Sequence, residues 1–145
     1  MLQGVICYNR DSAFSYNMNR KKIYIFGNPL LPFDSLPIKL APRLQTVLPQ
    51  FEFAIADPNE NLKPVDKELV IIDTIEGISE VVVVDDIDKI QIAPLYSLHD
   101  FDLGFNLKLL KKIGELEKVK IIGVPMEGDE DKIINQLLKK IKETA

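Results

Sequence analysis

Cysteine is almost missing from this chain, with Cys7 standing alone among 145 residues. A single thiol excludes an internal disulfide and any cysteine-rich metal site. Cys7 itself reads as a small residue of an N-terminal segment rather than a reactive thiol. Histidine is equally scarce, so any imidazole chemistry must run through His99, the only one present. Long apolar runs are absent too: stretches such as 69–72 and 81–84 fall far short of the roughly 20 residues a membrane-spanning helix needs. The first residues lack the basic and apolar regions of a secretory signal, so no membrane span is expected and cytoplasm is the default location. Positive charge is in deficit, with 18 Lys and Arg against 22 Asp and Glu and a net charge of -4. That balance argues against a nucleic-acid binder, because a phosphate backbone demands an excess of Lys and Arg.

Familiar catalytic signatures are missing as well. There is no His-Glu-x-x-His zinc motif, no G-x-S-x-G elbow, no G-x-x-x-x-G-K-[ST] phosphate loop and no G-x-G-x-x-G fingerprint. A serine triad is disfavoured, because Ser97 is a close sequence neighbour of His99 rather than a residue on a poised turn.

What is present is apolar material for one domain with a sizeable core, 46% of the residues being hydrophobic. Lys22-Ile23-Tyr24-Ile25-Phe26 is β-branched and aromatic and stops at Gly27-Asn28-Pro29, so it reads as a buried strand entering a turn. A helix should follow on Leu36, Leu40, Leu44 and Val47, capped by Asp34 or Ser35, with Pro37 tolerated in its first turn. Pro42 is discordant and should kink or shorten that helix. Residues 51–56 read as a second strand, closed by the turn formers Asp57-Pro58-Asn59-Glu60-Asn61. Glu-Leu-Val-Ile-Ile-Asp at 68–73 is an unbroken apolar run ending on a carboxylate, the pattern of a central parallel strand buried on both faces.

Residues 80–84 and 89–93 read as short strands around the acidic turn Asp85-Asp86-Ile87-Asp88, which lacks the glycine and distal glutamate of a calcium loop and is expected to be solvated. Phe101, Phe105, Leu109 and Ile113 recur at helical spacing, with Ser97 and Asp100 at the start and Gly114 near the stop. Residues 118–124 form another strand. Residues 129–142 form a last helix, with acids in its first turn and lysines in its last, as the helix dipole favours. The alternation predicts an α/β fold, a three-layer α/β/α sandwich on a largely parallel twisted sheet. Residues 1–20 stand apart, because Met18 followed by Asn19-Arg20-Lys21-Lys22 would itself make an ordinary chain start. They are expected to be an added edge element or the product of an upstream start.

In a parallel sheet the carboxyl ends of the strands share one edge, where ligand crevices form. Asp34 follows the first strand, Asp73 closes the central one, and His99 precedes a helix. Two carboxylates and an imidazole on one rim would give mixed oxygen and nitrogen ligands, with positions left for substrate or water. Singly, each has an ordinary role: Asp34 as a helix cap, Asp73 as a strand-ending acid, His99 as a structural histidine.

Three stretches together resemble one family. Residues 25–34, Ile-Phe-Gly-Asn-Pro-Leu-Leu-Pro-Phe-Asp, resemble the opening strand and Gly-Asn-x-Leu loop of the nickel-iron hydrogenase maturation endopeptidases, which ends on a metal-binding carboxylate. Leu69-Val70-Ile71-Ile72-Asp73 is similar to the family's second carboxylate strand. Ser97-Leu98-His99-Asp100-Phe101-Asp102-Leu103 is similar to its histidine segment, and Val119-Lys120-Ile121-Ile122-Gly123-Val124 to the strand after it. Order and spacing agree over roughly residues 22–143.

The resemblance implies a hydrogenase maturation protease or phosphorylase/hydrolase-like fold. It implies further that Asp34, Asp73 and His99 bind a divalent metal and act as the catalytic residues. In this family the metal is nickel already installed in the hydrogenase large-subunit precursor, and zinc or cadmium is expected to substitute in vitro. The enzyme removes the precursor's C-terminal extension once nickel is present. Asn28, Asp57, Asn59 and Glu60 are then expected to contact substrate, in a chain expected to be monomeric.

The chain departs from the family at Phe33, where many relatives carry an extra acid, and at Ser35-Leu36-Pro37, which replaces glycines. It departs again at residues 57–62, which stand in place of a glycine-rich loop that contacts the precursor tail. These changes motivate a second reading, a non-catalytic module that binds metal or precursor as a nickel sensor or chaperone. A nucleotide-binding or phosphorylase-like protein is a third, with the absent phosphate loop against it.

Overall fold

The computed structural model describes residues 20–56, 62–85 and 107–144. The strand expected at 89–93, the acidic turn at 86–88, the helix start at 97–106, the loop at 57–61 and the segment 1–19 with Cys7 lie outside the described residues.

The described chain runs as β1 (Lys21–Ile25), a 3-10 turn (Pro32–Asp34), α1 (Leu36–Val47), β2 (Phe51–Ile55), β3 (Glu68–Thr74), β4 (Val82–Val84), a helical stretch α2 over 107–112, β5 (Lys118–Val124) and α3 (Glu130–Thr144). The strands form one five-stranded sheet in the order β2-β1-β3-β5-β4. All neighbours are parallel except β4, which runs antiparallel to β5. The sheet is therefore mixed and mostly parallel, and β3 is its central strand, as the unbroken apolar run predicts.

Two apolar clusters form on opposite faces because alternate strand residues point to opposite sides. Ile23 and Ile25, Val70 and Ile72, and Ile122 and Val124 pack with the buried residues of α1 and α3. Tyr24 and Phe26, Leu69 and Ile71, and Val119 and Ile121 pack with Leu62, Leu107 and Leu116 on the other side. Helical segments thus cover both faces of the sheet, an arrangement compatible with three layers. Fully burying an aliphatic side chain contributes about 1.5–3 kcal/mol, so a central strand buried on both faces supplies a large share of the driving force.

The helices depart from expectation in instructive places. The buried stripe of α1 is Leu36, Leu40, Ala41 and Leu44, completed by Leu48 rather than by Val47, which is 53% exposed. Val47 falls one position off the i, i+4 row that Leu44 and Leu48 continue. The helix runs through Pro42 uninterrupted. Pro42 lies on the exposed face, away from the apolar stripe, where a proline inside a helix disturbs packing least. Ser35, not Asp34, holds the N-cap position, and its hydroxyl makes no capping bond. In the second cluster Leu107 and Leu110 turn to the sheet, whereas Leu109 and Ile113 are exposed, so the inward face is offset from the one the i+4 spacing suggests. Gly114, at φ 82, ends that helix in the left-handed conformation, as expected of a glycine at a helix C-terminus. At the start of α3, Asp129 Oδ1 accepts the Asp131 N–H at 2.9 Å, placing Asp129 as the cap.

A two-residue hairpin precedes β3. Val65 and Glu68 exchange both backbone hydrogen bonds, and Asp66 (φ 54) and Lys67 (φ 61) are both left-handed between them. Such turns favour Gly, Asn or Asp, and a lysine there carries Cβ strain. Lys67→Gly is expected to stabilise the fold by about 0.5–1 kcal/mol after the entropy cost of glycine. Its half-exposed partnership with Glu117 at 3.6 Å contributes little. A raised denaturation midpoint with an unchanged m-value would bear this out, and a lowered one would refute it.

Candidate functional site

The chain leaves β1 toward β2 on one side and then returns to place β3 on the other side of β1. The strand order reverses between β1 and β3, and crevices outside the carboxyl ends of strands at such a switch point are the usual ligand sites of open α/β sheets. Phe26 N–H donates to Ile72 O at 2.9 Å, closing the pairing at that end. Asp73 is the next residue on β3, and the loop carrying Asp34 begins at Gly27.

That loop is held by its own hydrogen bonds. Asn28 N–H donates to Asp34 O at 2.9 Å, Leu31 N–H to Asn28 O at 3.1 Å, and Asp34 N–H to Leu31 O at 3.0 Å. Asn28 Oδ1 accepts the Leu30 N–H at 3.0 Å, an Asx turn, and the Ser35 hydroxyl donates to Pro32 O at 3.1 Å. Asn28, expected to contact substrate, therefore spends its side-chain oxygen on shaping the loop. Gly27 makes the return possible: a Cβ there would sit 2.7 Å from Asp34 O and 3.0 Å from Ile38 Cδ1. Only glycine allows this close approach of two backbone segments.

Asp34 is 1% exposed and Asp73 0%. Asp73 Oδ1 accepts the N–H of Thr74 at 2.8 Å. By strand alternation Asp73 shares the face of Leu69 and Ile71, toward the second cluster, and Thr74 the face of α1 and α3. On β5 the residue in register with Asp73 is Gly123, and a Cβ on Gly123 would collide with the Ile75 side chain. The missing side chain lets Ile75 fill the space beside the acid. Thr74 is 0% exposed, and among the described residues its Oγ1 has no hydrogen-bond partner.

Apart from Tyr24, the buried polar or charged residues among those described are Asp34, Ser35, Asp73 and Thr74. Two of them, Asp73 and Thr74, end β3, and the other two, Asp34 and Ser35, lie where the loop after β1 enters α1. Burying a carboxylate is costly unless it is bonded or paired, so acids are kept in such positions only where the surrounding fold supports them. Beside Asp34 the loop exposes apolar side chains: Leu30 is 86%, Phe33 48% and Leu31 38% exposed.

The structure places Asp34 in the loop after β1 and Asp73 at the end of β3, on the carboxyl side of this strand pair. His99, Asp57, Asn59 and Glu60 lie outside the described residues, and within those residues no three His, Cys, Asp or Glu side chains gather as a metal-ligating group. Ser35 is expected from the sequence only as a helix cap, and Thr74 carries no expectation at all. Beyond that, their signal is adjacency to the two acids, which periodicity does not flag. No helix among the described residues is long and apolar enough to cross a membrane. No family model, curated protein or solved structure matches this chain.

Two outcomes test this geometry. Gly27→Ala is expected to push the 32–34 turn off β1 and cost about 1–3 kcal/mol, the scale of overpacking, read from a urea transition. Thr74→Val is expected to gain about 1 kcal/mol by removing a buried hydroxyl that makes no hydrogen bond. A lower midpoint for Thr74→Val would mean that the hydroxyl is bonded in the native state.

Proposed function

We propose that this chain is a metal-reading endopeptidase of the nickel-iron hydrogenase maturation type, acting in the cytoplasm as a monomer on the nickel-loaded large-subunit precursor. The single observation that carries the reading is the confinement, Tyr24 apart, of the buried polar side chains of the described residues to Asp34, Ser35, Asp73 and Thr74 on the carboxyl side of the β1/β3 pair. It is supported by the resemblance of the 25–34, 69–73 and 97–103 stretches, which supply Asp34, Asp73 and His99 in register. The mostly parallel sheet covered on both faces is the architecture such a protein would have.

The chemistry suits the residues. Carboxylate oxygens and an imidazole are ligands a nickel ion accepts, and here the metal arrives with the substrate. Asp34 and Asp73 are positioned by the loop and the central strand rather than by long flexible stems, so little ordering cost remains when substrate binds. A metal held between precursor and enzyme would polarise the scissile carbonyl or a water, which dispenses with a protein nucleophile. Hydrolysis then adds that water across one peptide bond, giving a new C-terminal carboxylate and a free amine on the released tail. Leu30, Leu31 and Phe33 offer apolar contact for a polypeptide beside the acids.

The test is to incubate the protein with nickel-loaded precursor and read the mass of the large subunit. A loss of the C-terminal extension that depends on nickel is expected. Asp73→Asn, Asp34→Asn and His99→Ala should each slow cleavage by about 10²- to 10⁴-fold, the scale of removing a group that acts on the reacting centre. Precursor that is bound but left uncut, while a characterised family member cuts it, would replace this reading with the binding module, which the rewritten 57–62 loop favours.

A further inference from the structure

Among the described residues β2 is an edge strand of the sheet. Parallel pairing directs the backbone groups of alternate residues to one side, and the Ala56 N–H, bonded to Ile25 O at 2.9 Å, marks the even positions as those facing β1. Phe51, Phe53 and Ile55 therefore present their N–H and C=O groups outward, as an exposed template for another strand. The composition makes that template hazardous. Phe-Glu-Phe-Ala-Ile carries one charge, no proline and no lysine, and Ile55 is 57% exposed. Apolar segments of this kind pair readily with copies of themselves.

Gln45, in the last turn of α1, reaches that edge. Its Nε2 donates to Phe51 O at 2.8 Å, and its Oε1 accepts the Phe53 N–H at 3.1 Å. These are the two groups that one residue of an added parallel strand would engage, with its N–H on Phe51 O and its C=O on Phe53 N–H. The carboxamide supplies the same donor and acceptor from a single side chain. Phe51 N–H is also engaged, donating to Leu48 O at 3.1 Å. The outward row is thus closed from its amino end by side chain and turn together.

We propose that Gln45 is a built-in plug of the β2 edge, which keeps a second copy of this chain from adding to the sheet there. The helix that delivers the plug also precedes the strand in sequence, so edge and plug are formed as one unit. No residue of the candidate site takes part, and the plug stands whether or not the chain is a peptidase.

The test compares the full-length protein with Gln45→Ala and Gln45→Met by sedimentation over a concentration series. Gln45→Met keeps the volume and helix preference of the side chain while removing its donor and acceptor, which separates plugging from folding. Both variants are expected to associate at least about tenfold more tightly than wild type, a difference worth ~1.4 kcal/mol. Adding Ile55→Lys to either should return the mass to the wild-type value, because a charge on the edge opposes strand pairing. Variants that stay at the wild-type mass, whatever their melting temperature, would overturn the proposal. So would association that Ile55→Lys leaves intact, since the contact would then lie elsewhere.

Discussion

The pairing of β1 with β3 is the constraint on which the rest depends. Once these strands lie side by side and parallel, the chain needs crossovers on both sides of the sheet, and both faces of β3 must be covered. α1 and α3 meet that demand on one face, and Leu62, Leu107 and Leu116 on the other. The same pairing makes β1/β3 the place where strand order reverses. Asp73 at the end of β3 and Asp34 in the loop after β1 are both set on the carboxyl side of this pair by topology, before any local interaction is considered.

Most of the framework was readable from the residues, for a physical reason. A strand buried on both faces must be apolar almost without interruption, and β3 announces itself that way, bounded by turn formers. α3 carries an acidic start, a lysine in its last turn and a clean inward stripe of Ile133, Ile134, Leu137 and Ile141. Where reading and structure part, the deciding factor is which way a helix faces. Val47 and Leu48 are adjacent and both apolar, at i+3 and i+4 from Leu44, and the strict i+4 row through Leu36, Leu40 and Leu44 is the one that is buried. Pro42 reads as a break because propensity treats every interior position alike, whereas on the exposed face a proline disturbs packing least. Leu109 and Ile113 show the same limit, since one apolar row suggests a face but the opposing sheet chooses it.

The site was less fully readable. Asp34 and Asp73 were found because they end elements, and strand-end logic needs no knowledge of packing. Ser35 reads only as a cap and Thr74 as nothing in particular, because their burial is a property of the assembled fold. Gly27 looks like an ordinary turn residue in sequence. Its role as the space into which Asp34 O folds is a contact between backbone segments, which no one-dimensional pattern encodes.

The Lys21–Glu68 ion pair, at 3.2 Å, joins residues 47 positions apart at the amino ends of β1 and β3. That separation bears on the order of assembly. β1, α1 and β2 are consecutive, and their mutual contacts close short loops. Joining β3 to β1 closes a loop of nearly a third of the chain and must come with a larger entropy loss. Until that pairing forms, nothing fixes the loop after β1 relative to the end of β3. The candidate site exists only in a molecule that has completed its long-range pairing, so any activity there is by construction a property of the finished fold.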